Sequence, residues 1–343
     1  MDSLDIETAP LLDVRGLTKR FPIGSIFRTR QVHAVEDVSF TVGRGQVVAL
    51  VGESGSGKTT TIRMIARLIR ASGGEIRFKG AEILRTEPRQ ASLAYRRMVQ
   101  MIFQDPFASL NPVHTIEHHL ARPLLIHKKI QKRTELFESV CALLETVELK
   151  PAEEIARRYP HQLSGGQRQR VAIARALAVD PELILADEPI SMLDVSIRMG
   201  VLNLIGALKE QRQIAFVYIT HDLASARYIG DFVMVMYAGH IVEGGQSEQV
   251  IGGAVHPYTQ LLLSAVPDPR AGLRTREGVE ARGEVPSLID PPPGCPFAAR
   301  CPKVMPVCRE VMPGPTHVDP SHWVRCHLFG AGERSEQAEA VAV

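Results

Sequence analysis

Eight residues, GESGSGKT from Gly52 to Thr59, constrain this chain more than any other stretch. Glycines at 52, 55 and 57 allow successive backbone N–H groups to turn inward around an anion, and a helix opening at Lys58 would aim its positive end at the same charge. The loop needs an apolar strand before it and a helix after it. VVALV (47–51) supplies the strand, and TIRMIARLIR (Thr60–Ile69) places Ile62, Ile65, Ala66 and Ile69 at helical spacing. Gly52, Glu53, Ser54, Gly55, Ser56, Gly57, Lys58, Thr59 and Thr60 are therefore candidate nucleotide-binding residues. Lys58 is suited to the β- and γ-phosphates, and the Thr59 hydroxyl to Mg²⁺.

Around this loop the chain reads as α/β. Short alternating runs in residues 11–51 predict strands, with Pro22–Arg30 interrupting them as a surface loop. Residues 112–180 repeat apolar positions at three and four, as in Leu136, Val140, Leu143, Leu144 and Val147, and predict a helical block. Further strands are expected at Leu183–Ala186, Ala215–Thr220 and Phe232–Met236, with a helix over Ile197–Lys209. Helices alternating with apolar strands predict a largely parallel sheet. Periodicity fades near Val266, where proline becomes frequent, so a domain boundary is expected there. The tail 331–343 lacks core-forming residues and is expected to be disordered.

With 45% hydrophobic residues the chain can fill a large core, and 40 basic against 38 acidic residues give no support for nucleic acid as a partner. No apolar run reaches the ~18 residues a membrane helix needs. The acidic N-terminus has no secretory pattern, so a cytosolic location is expected.

Two further motifs extend the nucleotide chemistry. LILADE (Leu183–Glu188) ends an apolar strand on two carboxylates: Asp187 is suited to hold Mg²⁺, directly or through water, and Glu188 to polarise an attacking water. LSGGQRQR (Leu163–Arg170) puts Ser164, Gly165, Gly166 and Gln167 at a helix start, a second anion cradle. Two phosphate cradles on one chain suggest two chains sharing nucleotides.

LSGGQ between a helical block and the LILADE strand resembles the signature of ABC-transporter ATPases, over roughly residues 10–265. The resemblance implies a P-loop ABC ATPase domain with a parallel-sheet core, an antiparallel β subdomain and a helical subdomain at about 105–180. It implies head-to-tail pairing, with Ser164 and Gly166 contacting the γ-phosphate bound by the partner chain. It assigns Gln104 (MIFQDP) to the loop that touches Mg²⁺ or the water and links to the permease. By the same resemblance His221 (YITHD) contacts the γ-phosphate, and Asp194 (SMLD) faces the partner. Met192 stands in SMLD where the family usually has a small residue, so altered packing is expected there. Phe21 is the candidate for stacking on adenine.

HPYTQLLLSAVPDP (His256–Pro269) and GEVPSLIDPPPGCPFAARC (Gly283–Cys301) resemble the C-terminal region of oligopeptide/dipeptide importer ATPases, and FQDPFASLNP looks most like the second of that group's two ATPase subunits. An extension over 266–330 is thus implied. So are import coupled to ATP hydrolysis, two permease chains, a homologous ATPase subunit forming a heterodimer and an extracytoplasmic solute-binding protein. Such a subunit sits on the cytoplasmic face of the membrane. Oligosaccharide import, an exporter and a soluble ABC-type ATPase without permease are the alternatives. Cys295, Cys301, Cys308 and Cys326 have five, six and seventeen residues between them, which fits common zinc sites poorly. Members of the resembled group carry a [4Fe-4S] cluster in this extension, which these cysteines would ligate. Zn²⁺, and free or disulfide-bonded cysteines, remain the alternatives.

Overall fold

A computed structural model describes residues 9–25, 28–130, 132, 134–265 and 286–330. The chain opens on a hairpin, β1 (Leu12–Ser25) and β2 (Arg28–Val42), followed by β3 (Val47–Val51) and α1 (Lys58–Ile65). Next come β4 (Gly73–Phe78), β5 (Ala81–Glu82), α2 (Ile83–Thr86), α3 (Leu93–Met98) and β6 (Val99–Ile102). Five helices then succeed one another: α4 (Pro106–Ser109), α5 (Ile116–Ile126), α6 (Thr134–Thr146), α7 (Ala152–Arg157) and α8 (Gly165–Leu177). The chain returns through β7 (Leu183–Asp187), α9 (Val195–Arg212), β8 (Ala215–Thr220), α10 (Leu223–Ile229), β9 (Phe232–Tyr237) and β10 (His240–Gln246). Helices α11 (Ser247–Gly252) and α12 (Pro257–Ser264) follow, then β11 (Thr316–Asp319) and β12 (His322–Val324).

β3 explains the layering. All five of its residues are buried, and it lies between β8 and β9, parallel to both. Because side chains alternate along a strand, Val47, Ala49 and Val51 enter one core and Val48 and Leu50 another. The first core joins this face of the sheet to α5, α6, α8 and α9. The second joins the other face to the four-stranded antiparallel sheet β2-β1-β4-β5. The larger sheet has eight strands in the order β11-β12-β10-β9-β3-β8-β7-β6, parallel from β6 through β9 and antiparallel beyond.

Two expectations are corrected. Pro22–Arg30 is not a loop, for Pro22 pairs with Gln31 and Ile23 with Arg30 as the hairpin continues outward. Beyond Thr18, β1 has lost its second neighbour β4, so a residue without an N–H is tolerated there. The helix after the phosphate loop stops at Ile65 and not Ile69, where Arg67 takes a positive φ of 56°. The tail 331–343 lies outside the described residues.

The strands β11 and β12 continue the main sheet across the proline-rich stretch. The join is a buried hydrogen bond: His322 Nε2 lies 2.7 Å from Glu243 Oε1, with both residues almost fully enclosed. Glu243 also accepts the backbone N–H groups of Val255 at 2.8 Å and His256 at 3.1 Å. A buried carboxylate that loses a hydrogen-bond partner is destabilising by about 1–3 kcal/mol. His322→Ala is accordingly expected to lower the denaturant midpoint clearly, and an unchanged midpoint would show that water replaces the imidazole.

Candidate functional site

The chain leaves β3 at Val51 and turns through Gly52–Gly57 into α1. A Cβ on Gly52 would lie 2.1 Å from the Met236 carbonyl oxygen, and one on Gly57 2.4 Å from that of Ala34, so neither position admits a side chain. Gly57 caps α1 with a φ of 106°, a conformation glycine adopts without strain. Lys58 is buried, and its Nζ donates to the carbonyls of Gly52 and Glu53, each at 2.7 Å, and to Ser56 Oγ at 3.3 Å. Burial lowers the Lys58 pKa, while the carboxylates of Glu188, Asp187 and Glu53 oppose the shift. Ser54 and Gly55 form the exposed tip of the loop.

Next to Lys58, the Thr59 hydroxyl donates to Asp187 Oδ1 at 2.8 Å, closing a gap of 128 residues. Asp187 is enclosed at the end of β7; burial raises its pKa and the Thr59 hydroxyl counters this. Glu188 follows with a φ of 44°, left-handed backbone that costs of order 1–3 kcal/mol for a residue with a Cβ. Its N–H donates to the Ile219 carbonyl at 3.0 Å, fixing the turn against β8. The Glu188 Oε2 accepts from Gln104 Nε2 at 3.1 Å and lies 3.3 Å from His221 Nδ1. The Glu188 side chain is 16% exposed and that of His221 60%, so the carboxylate is sheltered beneath a reachable imidazole. Gln104, Glu188 and His221 leave the carboxyl ends of β6, β7 and β8, with the phosphate loop after β3 in the same parallel set. This edge is where open α/β sheets bind ligands.

Ser164, Gly165, Gly166 and Gln167 stand apart from that cluster. Ser164 caps α8 reciprocally with Gln167: Gln167 N–H donates to Ser164 Oγ at 3.2 Å, and Ser164 N–H to Gln167 Oε1 at 3.0 Å. A Cβ on Gly166 would meet Ile197 Cγ2 at 2.4 Å, so α8 packs too closely on α9 for alanine. Among the described residues, no hydrogen bond or ion pair joins these four, or Asp194, to Lys58, Thr59, Asp187 or Glu188. Asp194 begins α9 with its side chain exposed and making no cap bond. Met192, expected to alter packing, is instead 54% exposed. Phe21 lies on β1, half exposed, with Lys19 Nζ 4.7 Å from its ring centre.

With this geometry the chain matches two families: "ABC transporter" over residues 35–191 and "Oligopeptide/dipeptide transporter, C-terminal region" over residues 242–308. The oligopeptide transport ATP-binding protein AppF of Bacillus subtilis is 44% identical, the match covering 93% of this chain and 97% of that protein. The chain belongs to the ABC transporter ATP-binding family. Two other members of that family are similarly near. The dipeptide transport ATP-binding protein DppF of Haemophilus influenzae is 44% identical over 90% of this chain and 93% of its own length. A putative peptide import ATP-binding protein of Brucella abortus is 45% identical over 92% and 97%. Among solved structures, the dimeric post-hydrolysis ATP-binding cassette MJ0796 bound to ADP and Pi aligns with a TM-score of 0.60 at 28% identity. That alignment covers 69% of this chain and 98% of MJ0796.

In this ABC protein the four late cysteines line a single small cavity together with His256, Phe297 and His327. None is in a disulfide. Burial pushes the Cys295 thiol up to about 12 and the Cys326 thiol up to about 11, and raises Cys301. Among the described residues, no group of three or more His, Cys, Asp or Glu side chains is drawn together as a metal site. The expected zinc alternative therefore gains nothing from the geometry. The expected [4Fe-4S] cluster gains from it only a shared cavity.

Sequence reasoning missed two residues that touch the phosphate loop, Tyr258 and Arg300, and a third, Tyr237, that braces Arg300. Glu53 N–H donates to Tyr258 Oη at 2.9 Å, and Arg300 grips the Glu53 carboxylate beside Tyr237. They stand up to 247 residues from the loop in the chain, and no local pattern marks them.

Proposed function

We propose that this chain hydrolyses ATP to power peptide import through an ABC permease complex. The observation that carries the reading is Glu188, held between Gln104 and His221 one residue after the Asp187 that bonds Thr59. In this reading Lys58 exchanges its loop carbonyls for phosphate oxygens, and Glu188 accepts a proton from the attacking water, which His221 and Gln104 help to orient. Thr59 and Asp187, with Gln104 nearby, are hard oxygen donors suited to Mg²⁺, which would neutralise phosphate charge. Ser164, Gly165, Gly166, Gln167 and Asp194 serve a partner's nucleotide, a reading supported by the lack, among the described residues, of any hydrogen bond or ion pair from them to Lys58, Thr59, Asp187 or Glu188. Phe21 stacks on adenine.

The nucleotide-binding domain runs over 10–265, with helices concentrated at about 105–180, and the importer-type extension over 266–330. The partners are two permease chains and a homologous ATPase subunit, with a solute-binding protein on the far side of the membrane. The chain works at the cytoplasmic face; among the described residues no helix is long and apolar enough to cross a bilayer. Co-reconstituting the chain with its permeases and partner ATPase in vesicles, and following uptake of a labelled dipeptide and a labelled oligosaccharide, tests the cargo. ATP-dependent uptake of the peptide is expected, and uptake of only the sugar would overturn the peptide reading.

The four cysteines are proposed to hold a [4Fe-4S] cluster. Four cysteine side chains lining one cavity offer the soft sulfur ligands that an iron–sulfur cluster takes. Burial disfavours free thiolates there, so a bound cation would stabilise them. Anaerobically purified protein should contain iron and acid-labile sulfide in equal amounts, lost in Cys301→Ser. A colourless, iron-free sample removes this assignment.

A further inference from the structure

The phosphate loop is gripped from outside the motif. Arg300 is 8% exposed, and its Nη1 donates to Glu53 Oε2 at 2.9 Å and Oε1 at 3.2 Å, while Nη2 donates to Oε1 at 3.2 Å. The guanidinium centre lies 5.8 Å from the Tyr237 ring and 5.9 Å from the Phe297 ring, and Nη1 reaches Tyr237 Oη at 3.4 Å. Those rings pack on Tyr258, with centres 4.5 Å (Tyr237) and 5.4 Å (Phe297) from it, and Tyr258 Oη accepts the Glu53 N–H at 2.9 Å. Side chain and backbone of one loop residue are thus both fixed by residues beyond the nucleotide motifs. Glu53 also supplies one of the two carbonyls that hold Lys58.

We propose that Arg300 is a positioning residue for ATP: its bidentate hold on Glu53 keeps the phosphate loop in its binding conformation, so that the C-terminal extension sets nucleotide affinity. The inference rests on the ATPase reading given above. A loop ordered beforehand loses little freedom when phosphate arrives, whereas a released loop must be ordered by the nucleotide itself. Once ATP is bound the phosphates hold the loop in either case. The effect therefore falls on KM and Kd and largely spares kcat.

The test uses the full chain, with a fluorescent ATP analogue for Kd and phosphate release for kcat and KM. Arg300→Met and Glu53→Gln are each expected to raise Kd and KM by about tenfold, which is ~1.4 kcal/mol, and Arg300→Met, which lies outside the nucleotide motifs, is expected to keep kcat within about threefold of wild type. The double variant should be no worse than the weaker single, because both remove the same contact. Arg300→Lys should recover part of the affinity. An unchanged Kd in both singles, additive losses in the double, or a fall in kcat at constant KM would each overturn the proposal. If Arg300→Met does not fold, Arg300→Lys decides it, since it keeps the charge but loses the two-pronged hold on Glu53: a Kd above wild type is expected, and a wild-type Kd overturns the proposal. Should Lys58→Ala hydrolyse ATP at the wild-type rate, the ATPase reading itself fails. A normal Lys58→Ala loss beside an unaffected Arg300→Met removes only the role of Arg300.

Discussion

Glu188→Gln is expected to bind ATP and to lower kcat by about 10² to 10⁴, the range over which a positioned general base acts. The two side chains have the same shape, and the glutamine carbonyl oxygen can still accept from Gln104, which sits 3.1 Å away. The left-handed turn at residue 188 is held by its backbone bond to Ile219 and is untouched. What disappears is the capacity to take a proton, together with one negative charge facing Lys58. That charge raises the Lys58 pKa in the wild type, so its loss leaves phosphate binding intact or slightly altered and does not mimic a binding defect. Single-turnover phosphate release, together with nucleotide retained through gel filtration, separates the two effects. Turnover within a fewfold of wild type would remove Glu188 as the base and move attention to His221.

The parts of this molecule legible in its sequence are those where neighbouring residues carry the signal. VVALV, LILA and AFVYIT are short, largely apolar and wholly buried, so strands are legible at Val47–Val51, Leu183–Ala186 and Ala215–Thr220, the second running one residue further to Asp187 in the fold. The phosphate loop announces itself because glycine is sterically required at 52 and 57. Where pairing is decided at a distance, the reading failed. The hairpin through Pro22 depends on which neighbour β1 has lost, and β12 depends on Glu243 reaching His322. HWV is too short for a period to emerge. Arg300 illustrates the same limit at the site. Within GCPFAARC it is one cation between two candidate ligands, and only folding brings it to Glu53. Thr59 and Asp187 are also distant, 128 residues apart, yet each belongs to a motif with a chemical need for the other, so their approach follows from the sequence.

Lys58→Ala is expected to weaken nucleotide binding by 100-fold or more and to abolish measurable hydrolysis. The ammonium is the only side-chain cation seen bonding to the loop carbonyls of Gly52 and Glu53 among the described residues. Alanine removes a charge-assisted partner from several phosphate oxygens, and each such bond contributes about 1.5–3 kcal/mol. Two of them amount to roughly 3 kcal/mol or more, which is a hundredfold in Kd. It also leaves the two carbonyls without that donor, but the space the lysine side chain vacates can admit water to them. The folded state should therefore survive, with a thermal midpoint within a few degrees of wild type. Lys58→Arg discriminates charge from shape. It keeps the cation but replaces a compact ammonium by a planar fork that cannot sit between carbonyls at 2.7 Å on both sides. If charge alone mattered, arginine would restore affinity. The close fit leads us to expect recovery of less than a tenth, measured by titration with a fluorescent ATP analogue, and full recovery would show that the loop reshapes around its cation.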